Sequence, residues 1–214
     1  MSEKSILLTG YPPFGNHSLN PSGQAAVALD GQEILGYRIA GRVLPCDYLK
    51  MPPLLAEWLE QIQPAIVVGS GLAFGEPQIR VERVGLNQLD FRVPDNGGHS
   101  IQNEPALKAG PVAYFSTLPN IQIVKRLRQE GIPAGLSDNA GGHLCNHMLY
   151  TALHLAQTTF PSQATGFIHL PSIPELAALE AARDDSRSCV PSMSLDLIIQ
   201  ALRIVLEETV RGIN

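Results

Sequence analysis

Short apolar runs and amphipathic segments alternate along this chain. The apolar runs are typical of strands buried in a sheet, and they cover residues 5–10, 37–45, 65–69, 79–86, 132–136 and 166–171. Between them, apolar residues recur at helical spacing, which predicts helices over residues 21–31, 53–63, 118–131, 145–156 and 194–212. This alternation favours an α/β protein, a three-layer α/β/α sandwich around a twisted, largely parallel mixed sheet.

Segments without this periodicity predict loops. Residues 99–111 are polar and contain prolines, which is typical of a long loop or flap, and the charged residues 176–191 predict a surface loop. Residues 70–75 are rich in glycine, so we expect a turn at the carboxyl end of the strand at 65–69. In open α/β sheets this edge is where ligands usually bind.

Composition narrows the class of protein. With 214 residues, 44% of them apolar and 16% charged, the sequence predicts a single domain over residues 1–214. The net charge of −5 and the lack of a basic stretch argue against nucleic acid and anionic membranes as partners. No apolar run approaches the ~18–20 residues that a membrane helix needs. The first residues lead directly into strand-like sequence, without a signal-peptide pattern.

The cysteines indicate a reducing compartment. The chain has three, Cys46, Cys145 and Cys189, an odd number with wide spacing and no C-x-x-C pair. This pattern argues against a disulfide framework and against a zinc site, so we expect a cytoplasmic protein. A buried structural thiol is the default expectation for Cys46. Cys189 lies in a polar stretch, which is compatible with exposure at a subunit contact, and its role stays open.

One cysteine lies between a predicted strand and a predicted helix, in the stretch Ser-Asp-Asn-Ala-Gly-Gly-His-Leu-Cys-Asn-His-Met-Leu-Tyr at residues 137–150. The two glycines allow a sharp turn that would place Cys145 in the first turn of the helix. Unpaired N–H groups and the helix dipole favour a thiolate there, and the thiolate is the nucleophile. A buried structural thiol is the alternative.

A cysteine nucleophile needs a base, and a third group must orient that base. Of the six histidines, His169 lies at the end of a predicted strand, so it is the better base on geometry. His143 lies in the turn beside the thiol and stays a candidate pocket residue. His147 is two positions beyond the thiol and faces away. His17 and His99 lie in polar loops, where a solvated imidazole is expected.

Glu82 is the carboxylate with the most apolar neighbours, because it lies inside the run at 79–86. It is therefore the candidate for the orienting acid. Periodicity alone favours a different interpretation, a surface salt bridge with Arg80 or Arg83. Spacing leaves both interpretations open.

Five ordered motifs, spread over nearly the whole chain, carry a resemblance to a known family. They are Ile-Leu-Leu-Thr-Gly-Tyr-Pro-Pro-Phe-Gly with Asn-Pro-Ser (6–15, 20–22), Val-Glu-Arg-Val with Asn87 and Arg-Val-Pro-Asp-Asn (81–84, 92–96), Ala-Tyr-Phe-Ser-Thr-Leu-Pro (113–119), the cysteine stretch (137–150) and Phe-Ile-His-Leu-Pro with Pro-Glu (167–171, 174–175). The chain resembles the pyroglutamyl peptidase type I family (pyrrolidone-carboxylate peptidases). Its members are cytosolic cysteine peptidases that remove an N-terminal pyroglutamyl residue.

The resemblance implies roles for individual residues. Cys145 would be the nucleophile, His169 the general base and Glu82 its orienting carboxylate, with Arg92 near the oxyanion site. The residues implied to line the pyroglutamyl pocket are Tyr11, Phe14, Asn20, Gly71 and Leu72. The implied reaction passes through a thioester acyl-enzyme on pyroglutamylated peptides, without a metal or cofactor. The resemblance also implies a homo-oligomer, commonly a tetramer.

The departures from the family pattern lie at the pocket. Tyr11 replaces a phenylalanine, Phe74 stands where glycine is usual, Gly142 and His143 replace a Thr-Phe pair, and Ser172 replaces a bulky residue. His143 would then either form a second ion pair with the thiol or replace an aromatic wall. These departures leave one alternative of the same chemistry, a related cysteine amidase with an altered acyl pocket. A non-catalytic binding protein that keeps the fold is a separate alternative, and the presence of Glu82, Cys145 and His169 argues against it.

Overall fold

The computed structural model describes residues 4–183 and 188–213. Over these residues the chain forms nine strands and six helices. The strands are β1 (Lys4–Gly10), β2 (Glu33–Ile34), β3 (Tyr37–Val43), β4 (Ile66–Leu72), β5 (Ile79–Glu82), β6 (Val84–Leu86), β7 (Ala113–Phe115), β8 (Ala134–Ser137) and β9 (Ala164–Leu170). The helices are α1 (Pro21–Leu29), α2 (Met51–Ile62), α3 (Asn120–Gln129), α4 (Leu144–Thr158), α5 (Pro174–Ala181) and α6 (Leu195–Ile213).

Seven of the strands form one sheet, in the order β2-β3-β1-β4-β9-β5-β8. The pairs β3–β1, β1–β4, β4–β9 and β5–β8 are parallel. The pairs β2–β3 and β9–β5 are antiparallel, and β6 and β7 form a separate antiparallel pair. The predicted α/β class with a largely parallel mixed sheet is confirmed.

Helices cover both faces of this sheet. Ile6 and Ile66 belong to one buried cluster, which includes apolar side chains of α1, α3 and α6. The neighbouring residues Leu7 and Val67 belong to a second cluster with side chains of α2 and α4. Because successive strand residues point to opposite faces, β1 and β4 bury both of their faces. Each fully buried Leu or Ile stabilises the fold by about 1.5–3 kcal/mol relative to an exposed one. No helix of the described ranges is long and apolar enough to cross a membrane.

Local signals place the ends of several elements where the sequence predicts them. Asn20 caps α1, because its side-chain oxygen accepts a hydrogen bond from the Ser22 amide at 3.1 Å, and Pro21 occupies the first helical position. Gly131 follows α3 with a φ of +75°, a conformation that favours glycine.

The prediction of a surface loop over residues 176–191 is wrong in its first part. Residues up to Ala181 belong to α5, which starts at Pro174 and buries Leu176 and Ala177. The helix is too short for its apolar spacing to stand out in the sequence. Residues 184–187 of the same prediction lie outside the described part of the chain.

Three strand predictions need correction. The strand at 79–86 is interrupted at Arg83, after which β6 leaves the main sheet to pair with β7. β4 continues to Leu72, since it pairs with β9 over that length, so the turn predicted at 70–75 starts later. The strand predicted as buried at 132–136 is the edge strand β8, and its Leu136 is 41% exposed.

The predicted helix at 118–131 also differs in detail. It starts at Asn120, and its buried face consists of Ile123, Val124 and Leu127. Ile121, which the apolar spacing assigned to that face, is 67% exposed. Successive helical positions are about 100° apart, so Ile121 lies roughly 110° from the centre of the face formed by the three buried residues and points to the solvent side.

Candidate active site

Pairing of three strands brings an imidazole and a carboxylate together. β9 runs beside β4 with His169 opposite Gly71, and on its other side β5 pairs so that Glu82 lies opposite Phe167. The His169 Nδ1 lies 2.7 Å from the Glu82 Oε1, and both side chains are buried. Sequence positions 87 residues apart thus form one hydrogen bond in the core.

Cys145 lies in the first turn of α4, as the sequence predicts. The chain reaches this helix through Gly141, whose φ of +83° favours glycine. The Asn146 side chain fixes the first turn, because it accepts from the Leu86 amide at 2.8 Å and donates to the carbonyl oxygens of Leu86 and Gln88 at 2.9 Å. The helix start is therefore tied to the segment that follows Glu82.

The thiol reaches the imidazole across the end of β4. A Cβ atom at position 71 would lie 2.8 Å from the Cys145 sulfur, so glycine there leaves the space that the thiol occupies. Cys145 and His169 line the same cavity, and the charge and hydrogen bonding of the thiol raise the pKa of the imidazole. The structure brings together the three residues that the sequence ranked first.

The charges of His169 and Glu82 stabilise each other. Burial lowers the pKa of His169, but the charge and hydrogen bonding of Cys145 and Glu82 outweigh burial and raise the pKa to about 9. Burial raises the pKa of Glu82, but His169, Ser137 and Arg80 outweigh it and hold this pKa below its usual value. At neutral pH the pair is therefore an imidazolium and a carboxylate.

Arg80 connects the carboxylate to the turn before α4. Its Nε lies 3.4 Å from the Glu82 Oε1, and its Nη1 lies 3.0 Å from the Glu76 Oε1. Its Nη2 donates to the Ser137 hydroxyl at 2.5 Å and to the Asn139 carbonyl at 2.9 Å. The interpretation of Glu82 as a surface salt bridge is wrong, because the carboxylate is fully buried, although Arg80 does contact it.

A cavity of about 300 Å³ opens beside the thiol and the imidazole. The residues that line it are Tyr11, Phe14, His17, Asn20, Cys46, Leu72, Phe74, Ala140, His143, Leu144, Cys145 and His169. The Tyr11 hydroxyl donates to the Leu144 carbonyl at 3.0 Å, at the start of α4. Burial and the nearby thiols raise the Tyr11 pKa well above its usual value, so the phenol keeps its proton.

His143 forms part of an aromatic wall. Its ring stacks on Phe91 with centroids 3.9 Å apart and meets the edge of Phe14 at 5.0 Å. Its Nε2 lies 3.1 Å from the Val93 carbonyl oxygen. Burial lowers the pKa of His143, so a neutral ring is favoured at neutral pH. These contacts favour the aromatic-wall interpretation over a second ion pair with the thiol.

The remaining expected pocket residues take different positions. Asn20 and Leu72 line the cavity, and the Asn20 amide also donates to the Pro12 carbonyl at 2.9 Å. Gly71 adjoins the Cys145 sulfur and is not among the residues that line the cavity. Arg92 is exposed and is not among the residues that line the cavity.

Four residues that line the cavity were not predicted to do so, namely His17, Cys46, Ala140 and Leu144, and the first two carry titratable groups. Cys46 is buried, as expected, but it also lines the cavity, where burial and the charges of Cys145 and Asp95 raise its pKa to about 12. His17 is half-buried rather than solvated. The available signals were the location of Cys46 just beyond a strand's carboxyl end and that of His17 three residues after Phe14.

One group of side chains in the described ranges has the composition of a metal site. Donor atoms of Asp47, Asp95 and His99 lie within 4.8 Å of one another. Hydrogen bonds already occupy the carboxylates: Asp47 accepts from the Lys50 amide at 3.0 Å, and Asp95 accepts from the Tyr48 amide at 2.6 Å. These contacts account for the group as a hydrogen-bond network that joins the segment at Asp47 to the turn at Asp95.

A thiol on a helix start, an imidazole and a buried carboxylate are typical of cysteine hydrolases. A family model described as "Pyroglutamyl peptidase" matches residues 4–212, and the chain belongs to this family. It is 40% identical over 211 residues to pyrrolidone-carboxylate peptidase 2 of Photorhabdus laumondii, covering 99% of this chain and 94% of the relative. It is also 40% identical to the pyrrolidone-carboxylate peptidase of Pyrococcus furiosus, covering 94% of this chain and 96% of that one.

Solved structures give the same result. A mutant pyrrolidone carboxyl peptidase from the hyperthermophile Pyrococcus furiosus matches with a TM-score of 0.94 and 39% identity, over 97% of this chain and 99% of that one. The crystal structures of the same organism's enzyme and its Cys-free mutant match with a TM-score of 0.95 and 38% identity, over 98% of this chain and 100% of theirs.

Proposed function

We propose that this protein is a cysteine exopeptidase that removes the N-terminal pyroglutamyl residue from peptides. The observation that carries the proposal is the buried His169–Glu82 pair, joined at 2.7 Å, beside the cavity that Cys145 lines. Membership in the pyroglutamyl peptidase family supports the choice of substrate.

Acylation is the first chemical step. The Cys145 thiolate attacks the pyroglutamyl carbonyl carbon, and a tetrahedral intermediate forms. His169, which its partners keep protonated, then donates its proton to the departing amine as the C–N bond breaks. The products of this step are a thioester on Cys145 and a free peptide amine.

The start of α4 is the candidate site for stabilisation of the oxyanion. The first amides of an α-helix have no carbonyl partner within the helix, and the helix dipole is positive at this end. Amides in the turn that contains Cys145 are therefore the candidate donors to the developing negative charge. A role for Arg92 rests on the resemblance alone and stays a prediction.

Deacylation returns the enzyme to its starting state. His169, now neutral, takes a proton from a water molecule as the water attacks the thioester carbonyl. Pyroglutamate leaves as Cys145 recovers its thiolate and His169 its proton. Glu82 keeps the imidazole oriented through both steps, since its carboxylate accepts from Nδ1 and leaves Nε2 for the reaction.

The cavity suits a flat, uncharged acyl group. Aromatic rings of Tyr11, Phe14 and His143 line it, and such rings pack well against a five-membered lactam. An ordinary N-terminus carries a charged amine, which would lose its hydration without gaining a partner. We therefore infer that unmodified N-termini are rejected.

A related cysteine amidase is the second candidate. His143 and Phe74 both line the cavity, and each departs from the pattern that the resemblance sets. If they reshape the acyl pocket, the same thiol chemistry would act on a different amide. A non-catalytic binding protein is the weaker alternative, because binding alone does not need a buried imidazole–carboxylate pair next to a thiol.

We further propose a cytoplasmic location and a homo-oligomeric state. Cys46, Cys145 and Cys189 are all unpaired, which suits a reducing compartment. The oligomeric state rests on the resemblance, and light scattering of the purified protein would test it.

The test of the function compares two fluorogenic amides that differ in the acyl group. We expect the wild type to release the amine from the pyroglutamyl conjugate and not from the prolyl conjugate, which has a charged ring nitrogen. Cys145→Ala should abolish release, whereas Cys189→Ala, at an exposed thiol, is the matched control and should retain it. If neither conjugate is cleaved while Cys145 still alkylates rapidly, the amidase alternative replaces the proposal.

A further inference from the structure

Phe74 places a large apolar ring at the mouth of the cavity. It follows β4 on the loop at the carboxyl edge of the sheet, and 40% of it is exposed. It lines the same cavity as Cys145 and His169. An exposed aromatic ring next to reacting groups is a ready contact surface for a ligand.

The ring of Phe74 is packed against a second ring. The His17 imidazole stacks on it with centroids 4.6 Å apart and planes 24° apart. The His17 Nδ1 lies 3.1 Å from the Glu180 Oε1 on α5. We call these two rings the Phe74–His17 platform.

Ion pairs from α5 hold the platform in place. The Arg183 Nη1 lies 2.7 Å from the Glu180 Oε1 and donates to the Asn16 carbonyl at 2.7 Å. The loop that carries His17 is therefore attached to α5 through its side chain and to Arg183, just beyond α5, through its backbone. A surface built in this way is preorganised rather than induced by a ligand.

The register of β4 and β9 places Phe74 at the same edge of the sheet as His169, the proposed general acid. Gly71 lies opposite His169, and the Ala73 amide donates to the Leu170 carbonyl at 2.8 Å, so the chain stays beside β9 up to the residue before Phe74. In the proposed reaction the departing amine must lie next to His169, because it receives the proton from that imidazole. Because Phe74 lines the same cavity as His169, a peptide that extends from that amine along the cavity would reach its ring.

The proposed lactam site has its own aromatic group. Phe14 and His143 meet each other, and His143 stacks on Phe91. Neither Phe74 nor His17 takes part in those ring contacts. The cavity thus offers one aromatic group for the acyl part and a second for the leaving part of the substrate.

We propose that the Phe74–His17 platform is a subsite for the residue that follows pyroglutamate, and that it favours an aromatic or large aliphatic side chain there. The inference rests on the proposed function, since it concerns the leaving group of that same reaction. It defines the substrate class as pyroglutamyl peptides with a bulky apolar second residue.

The experiment compares two uncharged substrates, pyroglutamyl-phenylalanine amide and pyroglutamyl-alanine amide. The measured quantity is the ratio of their kcat/KM values, from the amino-acid amide released. We expect the wild type to prefer the phenylalanine compound and Phe74→Ala to lower the ratio about 3- to 10-fold, the range for loss of one aromatic contact. Phe74→Tyr keeps the ring and is the matched control, so its ratio should equal that of the wild type.

Hydrolysis of the alanine compound checks the chemistry in every variant, because its side chain is too small to cover the platform. If both compounds are cleaved and the ratio is the same in the wild type and Phe74→Ala, the subsite is refuted and the proposed function stands. If the wild type cleaves neither compound, the proposed function itself fails, and the subsite with it.

Discussion

On the strand side of the cavity, His169 and Glu82 are buried on β9 and β5 and lie 2.7 Å apart. On the loop side, Phe14, His143 and Phe74 lie on loops and a helix cap, half-buried or exposed, with ring contacts instead of ion pairs. A sheet holds charged groups to a fixed distance, whereas loops can differ without disturbing the sheet. We therefore expect changes on the strand side to alter kcat and changes on the loop side to alter KM.

Among changes on the two sides of the cavity, the largest effect should follow from Glu82→Gln. The amide keeps the shape but no longer stabilises the imidazolium, so we expect kcat to fall about 100- to 10,000-fold. Steady-state kinetics on the pyroglutamyl conjugate measure it. Glu130→Gln, in an exposed pair with Arg126 on α3, is the control and should leave kcat unchanged. A fall of less than a few fold for Glu82→Gln would show that the carboxylate does not orient the base.

The pH profile should have an alkaline limit set by His169. The pKa of His169 is raised to about 9, so the imidazolium persists through neutral pH and is lost above that value. The protonated form donates to the leaving amine, so kcat/KM should fall about tenfold per pH unit beyond it. In Glu82→Gln the imidazolium loses a stabilising charge, and the fall should start at lower pH. An alkaline limit that the substitution leaves unchanged would assign the titration to another group.

Arg80 should act as a positioning residue with a moderate effect. Replacement by Met removes its contacts with Glu82, Ser137 and the Asn139 carbonyl, and we expect kcat to fall about 5- to 30-fold, with KM nearly constant. A purely structural role would lower thermal stability without a kcat effect or a shift in the pH profile. The matched control is Arg83→Met, which breaks an exposed pair with Asp138 and should change stability by about 0–1 kcal/mol.

The smallest effect should come from His143→Phe. Phenylalanine keeps the ring that stacks on Phe91, so we expect KM to stay within about 3-fold of the wild type and kcat to stay constant. His143→Ala removes the wall and should raise KM about 3- to 10-fold. A large loss of kcat in His143→Phe would mean that the imidazole takes part in the chemistry. It would contradict the expectation that changes on the loop side alter KM and not kcat.

Local sequence patterns are enough to predict the helix and the strand that carry two of the candidate catalytic residues. The glycine turn predicts Cys145 in a first helical turn, and the apolar run at 166–171 predicts His169 near a strand end. Both depend on neighbouring residues alone, and both match the structure. Strand direction was not predicted as well: β4 and β9 are parallel and bring Gly71 and His169 to one edge, but β8, the strand before α4, is parallel to β5 and therefore runs antiparallel to β9.

Contacts between segments that are distant in the sequence could not be predicted from local patterns. The burial of Glu82 depends on β5 lying between β9 and β8, and periodicity favoured a surface position instead. The stack of His17 on Phe74 joins loops that follow different elements, and only the folded chain brings them together. Pairings of this kind are set by tertiary packing, which no local pattern records.

The most direct test of the account is the identity of the acylated residue. The wild type would be mixed with an activated pyroglutamyl ester, quenched in acid within the first turnover, digested and analysed by mass spectrometry. The account predicts one added pyroglutamyl group on the peptide that contains Cys145, and a longer-lived adduct in Glu82→Gln. Pyroglutamyl transfer to the peptide that contains Cys46, or hydrolysis with no adduct on Cys145, would contradict it.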